Sequence, residues 1–310
     1  MNALPKETNE LQTPSKTMVS PITLVARLIQ KSYAGHVSRV VLLTTLLPLS
    51  FILLFGTLIA AALFFPSGYD WRVCVVSTLT SPLDNPKGCW LPSLGIMAAM
   101  LLASPFAGYI AQHLRAITPR LGRMAGQAFA LSFALMILAM AVQLAQPVIG
   151  PRRLHEFAAR TSAGFFILGM FCCCGCALKD QLRSLGGQKT LPVALAFYWA
   201  SLTLLPIVCL AGVGTLMLLG HQAGQTWAED LRQSFRHTPL WQLAFWEWLG
   251  ALVAFAFLTG SVLLSPASWV STPAEARMSS LLGELGKVAW IFRRKHPDNN
   301  AADDQPQLSS

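Results

Sequence analysis

The 310-residue chain is 54% hydrophobic and only 12% charged, and its mean hydropathy is +0.51. A soluble globular protein carries about twice that share of charged residues, so the composition excludes this class. The formal net charge is +9, but Lys and Arg flank the apolar segments and form no dense cluster with interleaved aromatic residues. The composition therefore indicates an integral membrane protein and excludes nucleic acid as a partner.

The first 39 residues precede the first long apolar segment. Residues 1–20 contain few large apolar groups, so they predict a disordered cytoplasmic arm. Residues 21–39 predict a short juxtamembrane helix, because Pro21 suits a first helical position and apolar residues then recur at helical spacing. No cleavable signal peptide is evident, so the first apolar segment is expected to act as an uncleaved anchor.

Six apolar segments follow, each long enough to cross a hydrocarbon core of about 30 Å. They are predicted to be helices, because unpaired backbone groups cannot face lipid. The expected fold is all-α: a polytopic membrane protein with a bundle of about six transmembrane helices and a C-terminal amphipathic helix. Within the transmembrane domain, 40–264, the predicted helices cover residues 40–64, 91–113, 126–149, 161–178, 192–220 and 241–264.

The distribution of basic residues predicts the orientation. Sixteen Lys and Arg residues lie in the two terminal arms and the even-numbered loops, against seven in the odd-numbered loops. The positive-inside rule therefore places both termini in the cytoplasm, at the plasma (inner) membrane if the protein is bacterial.

The C-terminal arm is predicted to contain a cytoplasmic amphipathic helix over residues 265–296, followed by a disordered tail over 297–310. Its basic cluster, Arg293–Lys295, either binds anionic headgroups or only enforces the topology.

Glu247 is the most informative polar residue. The predicted helix 241–264 places it about two turns inside the apolar segment, where an ionised carboxylate is costly. Small residues share its helical face, so the carboxylate is expected to point into the bundle, while the flanking Trp246 and Trp248 meet lipid. The alternative is an interfacial carboxylate that reaches water from an aromatic belt.

A second group of ionisable residues precedes the fourth apolar segment. Together with Glu247 it forms the candidate polar pocket at the outer face. His155 would act as an acid or base, or would bind a phosphate headgroup together with the arginines. The alternative is that these residues only hold a helix end among the headgroups. The group consists of Arg152, Arg153, His155, Glu156 and Arg160.

Six of the seven cysteines fall into two groups. Cys74 and Cys89 share the first outer loop and form a candidate disulfide, which would contribute about 3 kcal/mol in the chain-entropy model; the alternative is two free thiols. Four more cysteines lie between Cys172 and Cys176 in the fourth helix, where packing is favoured over lipidation or a soft-metal site. No metal site and no cofactor are expected.

The arrangement resembles the DRAM-like group of six-span membrane proteins, which includes GPI-anchor lipid-remodelling factors and uncharacterised bacterial relatives. Three features carry the resemblance: the first outer loop at Ser77–Pro86, the Gly- and Ala-rich second helix, and the Leu154–Ala159 segment that opens the fourth helix. The resemblance implies lipid handling or membrane organisation, and no catalytic residue is carried over from it.

A non-enzymatic membrane protein whose outer-face pocket binds a lipid headgroup or small solute is therefore the favoured function. The alternative is a membrane-embedded lipid-modifying enzyme in which Glu247 or His155 is the general base. A small-molecule transporter is less favoured, because no strongly ionisable residue is predicted near the midplane and no internal repeat is evident. The expected partners are membrane lipids and either a second copy of the chain or another membrane protein.

Overall fold

The computed structural model describes residues 37–149, 152–184, 190–220, 230, 233–236, 238–266 and 269. In this part the regular secondary structure is entirely helical, and no strand is present. Six of its helices are long and apolar enough to cross a membrane, which confirms the expected all-α, polytopic fold. The predicted terminal segments, 1–20, 21–39, 265–296 and 297–310, lie almost wholly outside the described residues.

Seven α-helices of the described residues are numbered here, and all except the short second one are candidate membrane spans. The third has two pieces, Trp90–Ala103 and Pro105–Ile117, because Pro105 lacks the N–H that would continue the helix. The helices are α1 Arg39–Leu63, α2 Val76–Thr80, α3 Trp90–Ile117, α4 Pro119–Ile149, α5 Arg152–Ser184, α6 Val193–Gly220 and α7 Leu243–Leu263.

Two helices begin well before their predicted starts. The apolar pattern predicts starts at residues 126 and 161, whereas α4 begins at Pro119 and α5 at Arg152. The reason is that hydrophobicity marks only the part of a helix that contacts hydrocarbon, and both helices continue into charged residues beyond it.

The α4–α5 hairpin forms the most extensive helix pair, and α3 packs beside it while α1 packs on the first piece of α3. Small residues permit close approach between these helices. A Cβ atom at Gly95 would lie 2.0 Å from Thr57 Oγ1, and one at Gly126 would lie 2.4 Å from the Cβ of Ala111. The glycines therefore fix the spacing of α1, α3 and α4.

The two ends of the bundle differ. The end that carries residues 64–89, between α1 and α3, is called the loop end, and the opposite end is called the turn end. At the turn end, Arg183 donates to the carbonyl of Ile117 at 2.8 Å, and Arg39 donates to the carbonyl of Ser265 at 3.1 Å. Each arginine thus satisfies a backbone acceptor at or just beyond the C-terminal end of another helix.

Helix α6 is attached to the bundle through its first half. Trp199 Nε1 donates to Ser261 Oγ at 2.8 Å, and the Tyr198 hydroxyl donates to the carbonyl of Ala256. From Leu204 to Gly212 every residue except Pro206 is exposed. The second half of α6 therefore stands apart from α5 and α7 at the loop end.

Candidate functional site

The loop between α1 and α3 is folded onto the loop end by one buried side chain. Asn85 Nδ2 donates to the carbonyls of Ala61 and Leu79 at 3.2 and 3.3 Å, and its Oδ1 accepts from the N–H of Gly88 at 3.1 Å. A Cβ at Gly88 would lie 2.8 Å from the Asn85 amide, so glycine is needed there. This network holds α2 over the end of the bundle.

Glu247 lies beneath α2. It is four residues into α7, so about one turn from the end of the helix, because α7 begins at Leu243 and not at the predicted residue 241. Its Oε2 accepts from the N–H of Ser77 at 3.4 Å, and the N–H of Val76 also lies within reach. The half-buried carboxylate therefore points into the protein.

His155 is brought to the same place from α5. It is only 6% exposed, and its Nδ1 lies 3.0 Å from the carbonyl of Ala139 on α4. A carbonyl can only accept, so Nδ1 carries the proton and Nε2 is left for another partner. The ring is close enough to Glu247 to interact electrostatically with its carboxylate.

Tyr69 and Trp248 complete the arrangement. The Tyr69 hydroxyl donates to the carbonyl of Cys74 at 2.8 Å, and the Trp248 ring stacks on Phe55 with centroids 6.3 Å apart. The indole nitrogen of Trp248 is buried near the Tyr69 hydroxyl but has no well-formed hydrogen bond among the described residues. Glu247, His155, Tyr69 and Trp248 are called the Glu247 cluster below.

The phenol of Tyr69 is a neutral donor. Burial raises its pKa from 10.0 to about 12; a weak hydrogen bond from Trp248 opposes this shift, while Cys74 and Glu247 add to it. The expectation that Trp248 faces lipid is wrong, because Phe55 of α1 and Tyr69 of the loop occupy that side of α7. No sequence pattern singled out Tyr69, because its position near Glu247 depends on how the loop folds back onto the bundle.

Buried polar groups continue from the cluster along the α4–α5 interface. Ser162 Oγ donates to the carbonyl of Ser132 at 2.8 Å, near the middle of both helices. Gln143 lies one turn beyond Ala139 on α4, is 3% exposed, and its Oε1 has no hydrogen-bond partner within the described ranges. This interface is polar toward the loop end, a feature that the apolar pattern of α4 conceals.

The predicted grouping of five residues around His155 is divided in the structure. Glu156 and Arg160 form an ion pair at 3.4 Å on an outward face, and Arg153 is exposed. Arg152 begins α5, and its side chain lies outside the described part. Successive helical residues point about 100° apart, so His155 turns inward while Glu156 and Arg160 do not.

Cys74 and Cys89 are free thiols in the structure, so it does not contain the candidate disulfide. Cys74 is half-buried in the turn after Tyr69, whereas Cys89 is buried where α3 begins. Burial raises the pKa of the Cys89 thiol above 9.0. Since the thiolate is the form that reacts, Cys89 is poorly placed for oxidation.

The second cysteine group packs in the core at the turn-end side of α5. Cys172, Cys173 and Cys176 are buried, and Cys174 Sγ lies 3.5 Å from Thr203 Oγ1 of α6. Among the residues that the structure describes, no group of three His, Cys, Asp or Glu side chains could hold a metal ion. These thiols behave as small apolar side chains.

A buried carboxylate at the turn end has a structural role instead. Asp180 of α5 accepts from Thr190 Oγ1 at 2.6 Å, from the N–H of Thr190 at 3.1 Å and from the N–H of Leu191 at 2.7 Å. All these donors precede α6, so the carboxylate fixes where that helix starts. Sequence reasoning missed Asp180, because its partners follow ten residues later in a loop.

Comparison with known proteins assigns no relative: no family model, no curated protein and no solved structure matches the chain.

Proposed function

We propose that this integral membrane protein binds a lipid headgroup or a small polar solute at the Glu247 cluster, and that it handles lipid or organises the membrane without breaking a bond. One observation carries the proposal. A half-buried carboxylate, a buried histidine and a buried indole N–H that has no well-formed hydrogen bond among the described residues lie together at one end of a bundle of membrane-spanning helices.

Physical chemistry supports a binding role for this arrangement. A buried polar group costs free energy unless it is paired, and the cost is larger for a charge. Within the described residues, Glu247 is contacted by the N–H groups of Ser77, at 3.4 Å, and Val76, and Trp248 Nε1 has no well-formed hydrogen bond. A polar ligand would satisfy these atoms, so its binding would recover the cost of burying them.

The location of the cluster supports a membrane ligand. With both termini in the cytoplasm, as the distribution of Lys and Arg predicts, the loop end faces the outer leaflet. Glu247, about one turn into α7, would then lie close to the headgroup layer. The resemblance to the DRAM-like group stays a prediction and points in the same direction.

The alternative function is a lipid-modifying enzyme, favoured by the electrostatic contact between His155 and Glu247. A histidine whose Nδ1 is held by a carbonyl presents Nε2 as an acid or base. In that case incubation with lipid would change the lipid itself, which binding alone would not.

The test is to purify the full chain and to identify its bound lipids and solutes by mass spectrometry. Glu247→Gln should keep the fold but retain at most about a tenth of the ligand, since one well-placed charged contact is worth about 1.4 kcal/mol or more. Glu247→Leu should also lower the thermal stability, because the N–H of Ser77 loses its acceptor. The matched control is Glu156→Gln, which removes a carboxylate at the same end but outside the cluster.

Equal ligand retention and equal stability in all variants would mean that Glu247 only reaches water from the interface, and the binding proposal would then be abandoned. A new lipid product formed by the wild type and not by Glu247→Gln would establish the enzyme instead.

A further inference from the structure

We infer that the ligand of the Glu247 cluster carries a positively charged amine, as in an ethanolamine or choline headgroup or the corresponding free amine. The inference rests on the proposed function and narrows it to one chemical class. It differs from the expectation of a phosphate held by arginines, because Arg160 pairs with Glu156 on the outward face.

The first step is the charge of the cluster. No Lys or Arg side chain that the structure describes lies within ion-pair distance of Glu247. The N–H groups of Val76 and Ser77 contact the carboxylate but carry no net charge, and His155 lies close enough to interact with it electrostatically. Among the side chains that the structure describes, none gives this half-buried carboxylate a fixed counter-charge, and a cationic ligand would supply one.

The second step is the aromatic surroundings. Trp248 stacks on Phe55, and Tyr69 meets the edge of Phe65 with ring centroids 5.6 Å apart. Trp248 directly follows Glu247 in α7, and Tyr69 interacts electrostatically with the carboxylate. Aromatic faces next to an anionic group attract organic cations, including quaternary ammonium groups, and repel anions.

The third step is the indole N–H donor. Trp248 Nε1 is buried near the Tyr69 hydroxyl but has no well-formed hydrogen bond in the part of the chain described. A ligand whose ammonium group contacts Glu247 would satisfy this donor if an oxygen followed a few bonds away. Ethanolamine and choline, free or as phosphodiesters, have this combination. A simple anion does not, because it would meet Glu247.

The fourth step is the route for a lipid source. Helices α5 and α7 meet near the middle of the bundle, where the rings of Phe166 and Phe257 are 6.3 Å apart. Nearer the loop end, Gly164 of α5 and Gly250 of α7 are exposed, and a Cβ at either would meet no atom within 4 Å. Gly250 is one turn from Glu247, so an acyl chain could lie where α6 stands apart while the headgroup reaches the carboxylate.

The experiment measures headgroup preference. The full chain is purified in detergent with equal amounts of phosphatidylethanolamine and phosphatidylglycerol, and retained lipid is quantified by native mass spectrometry. Wild type and Glu156→Gln should retain phosphatidylethanolamine at least tenfold over phosphatidylglycerol. Glu247→Gln should lose this preference, whereas Glu247→Asp should keep part of it because the charge remains.

A second measurement separates the two sources of the amine. Millimolar ethanolamine or choline is added to the lipid-free protein, and quenching of tryptophan fluorescence is compared between wild type and Trp248→Phe. Saturable quenching that requires Trp248 and Glu247 would identify the ligand as a free amine. A lipid preference without such quenching would identify it as a lipid headgroup. If Glu247→Gln proves unstable, Trp248→Phe also serves in the lipid experiment, where it should weaken retention severalfold.

Equal retention of both lipids by the wild type, with no response to either amine, would overturn the inference while leaving the proposed binding function intact. Retention of no lipid and no solute would overturn both.

Discussion

Replacing Asp180 by alanine should destabilise the protein by about 3 kcal/mol. The carboxylate is 2% exposed and receives hydrogen bonds from Thr190 and Leu191 just before α6. A hydrogen bond to a charged group contributes about 1.5–3 kcal/mol. Leu191 is 1% exposed, so its N–H would stay unpaired. Thr190 is exposed, and water would replace most of what its two bonds contribute.

The measurement is unfolding by SDS titration in mixed micelles, followed by tryptophan fluorescence and by hydrogen exchange at the amide of Leu191. Asp180→Asn should cost less than Asp180→Ala, because one oxygen remains to accept from Leu191. Asp84→Asn is the control, since Asp84 is exposed. A free energy of unfolding for Asp180→Ala within 1 kcal/mol of wild type, with unchanged exchange at Leu191, would refute the proposed anchoring role.

Three further predictions concern other parts of the chain. A Cβ at Gly260 would lie 2.3 Å from the Tyr198 ring. Gly260→Ala should therefore destabilise the α6–α7 contact by about 1–3 kcal/mol in a thermal assay. In a chain that already carries Tyr198→Ala, Gly260→Ala should cause much less of this destabilisation. In folded protein at pH 8, Cys89 should react with a maleimide far more slowly than Cys74, because Cys89 is buried and burial raises its pKa, and the rate at Cys89 should still be increasing with pH at pH 9. Equal rates, or a disulfide-linked peptide pair in non-reduced digests, would contradict the free-thiol geometry. Reporter fusions at both termini should be active only for a cytoplasmic marker, and an externally active C-terminal fusion would invert the topology.

The position of Glu247 within the Glu247 cluster explains why a carboxylate is tolerated in an apolar helix. Its carboxylate lies about one turn from the helix end, beneath the backbone of α2, and not at the two-turn depth that the sequence predicted. The cost of a charge in a membrane falls steeply toward the interface. The residue is therefore retained at moderate cost, and its orientation is decided by the loop above it.

The six helices follow from the amino-acid sequence by itself. Backbone groups in hydrocarbon have to pair within their own segment, so length and hydrophobicity determine helix and span whatever the neighbours are. For Glu247, local periodicity predicted an inward orientation as one of two alternatives, since small residues share its face of α7. Both inferences need only interactions within one helix or between one helix and lipid.

Only the tertiary structure decided which polar groups meet. Ser77 and Glu247 are 170 positions apart, and their contact depends on Asn85 folding the loop over the end of the bundle. The rotation of α5 sends His155 inward and its neighbour Glu156 outward, and the position of α1 turns Trp248 toward protein. These outcomes depend on how separate helices pack, and side-chain packing between distant segments leaves no periodic signal in the sequence.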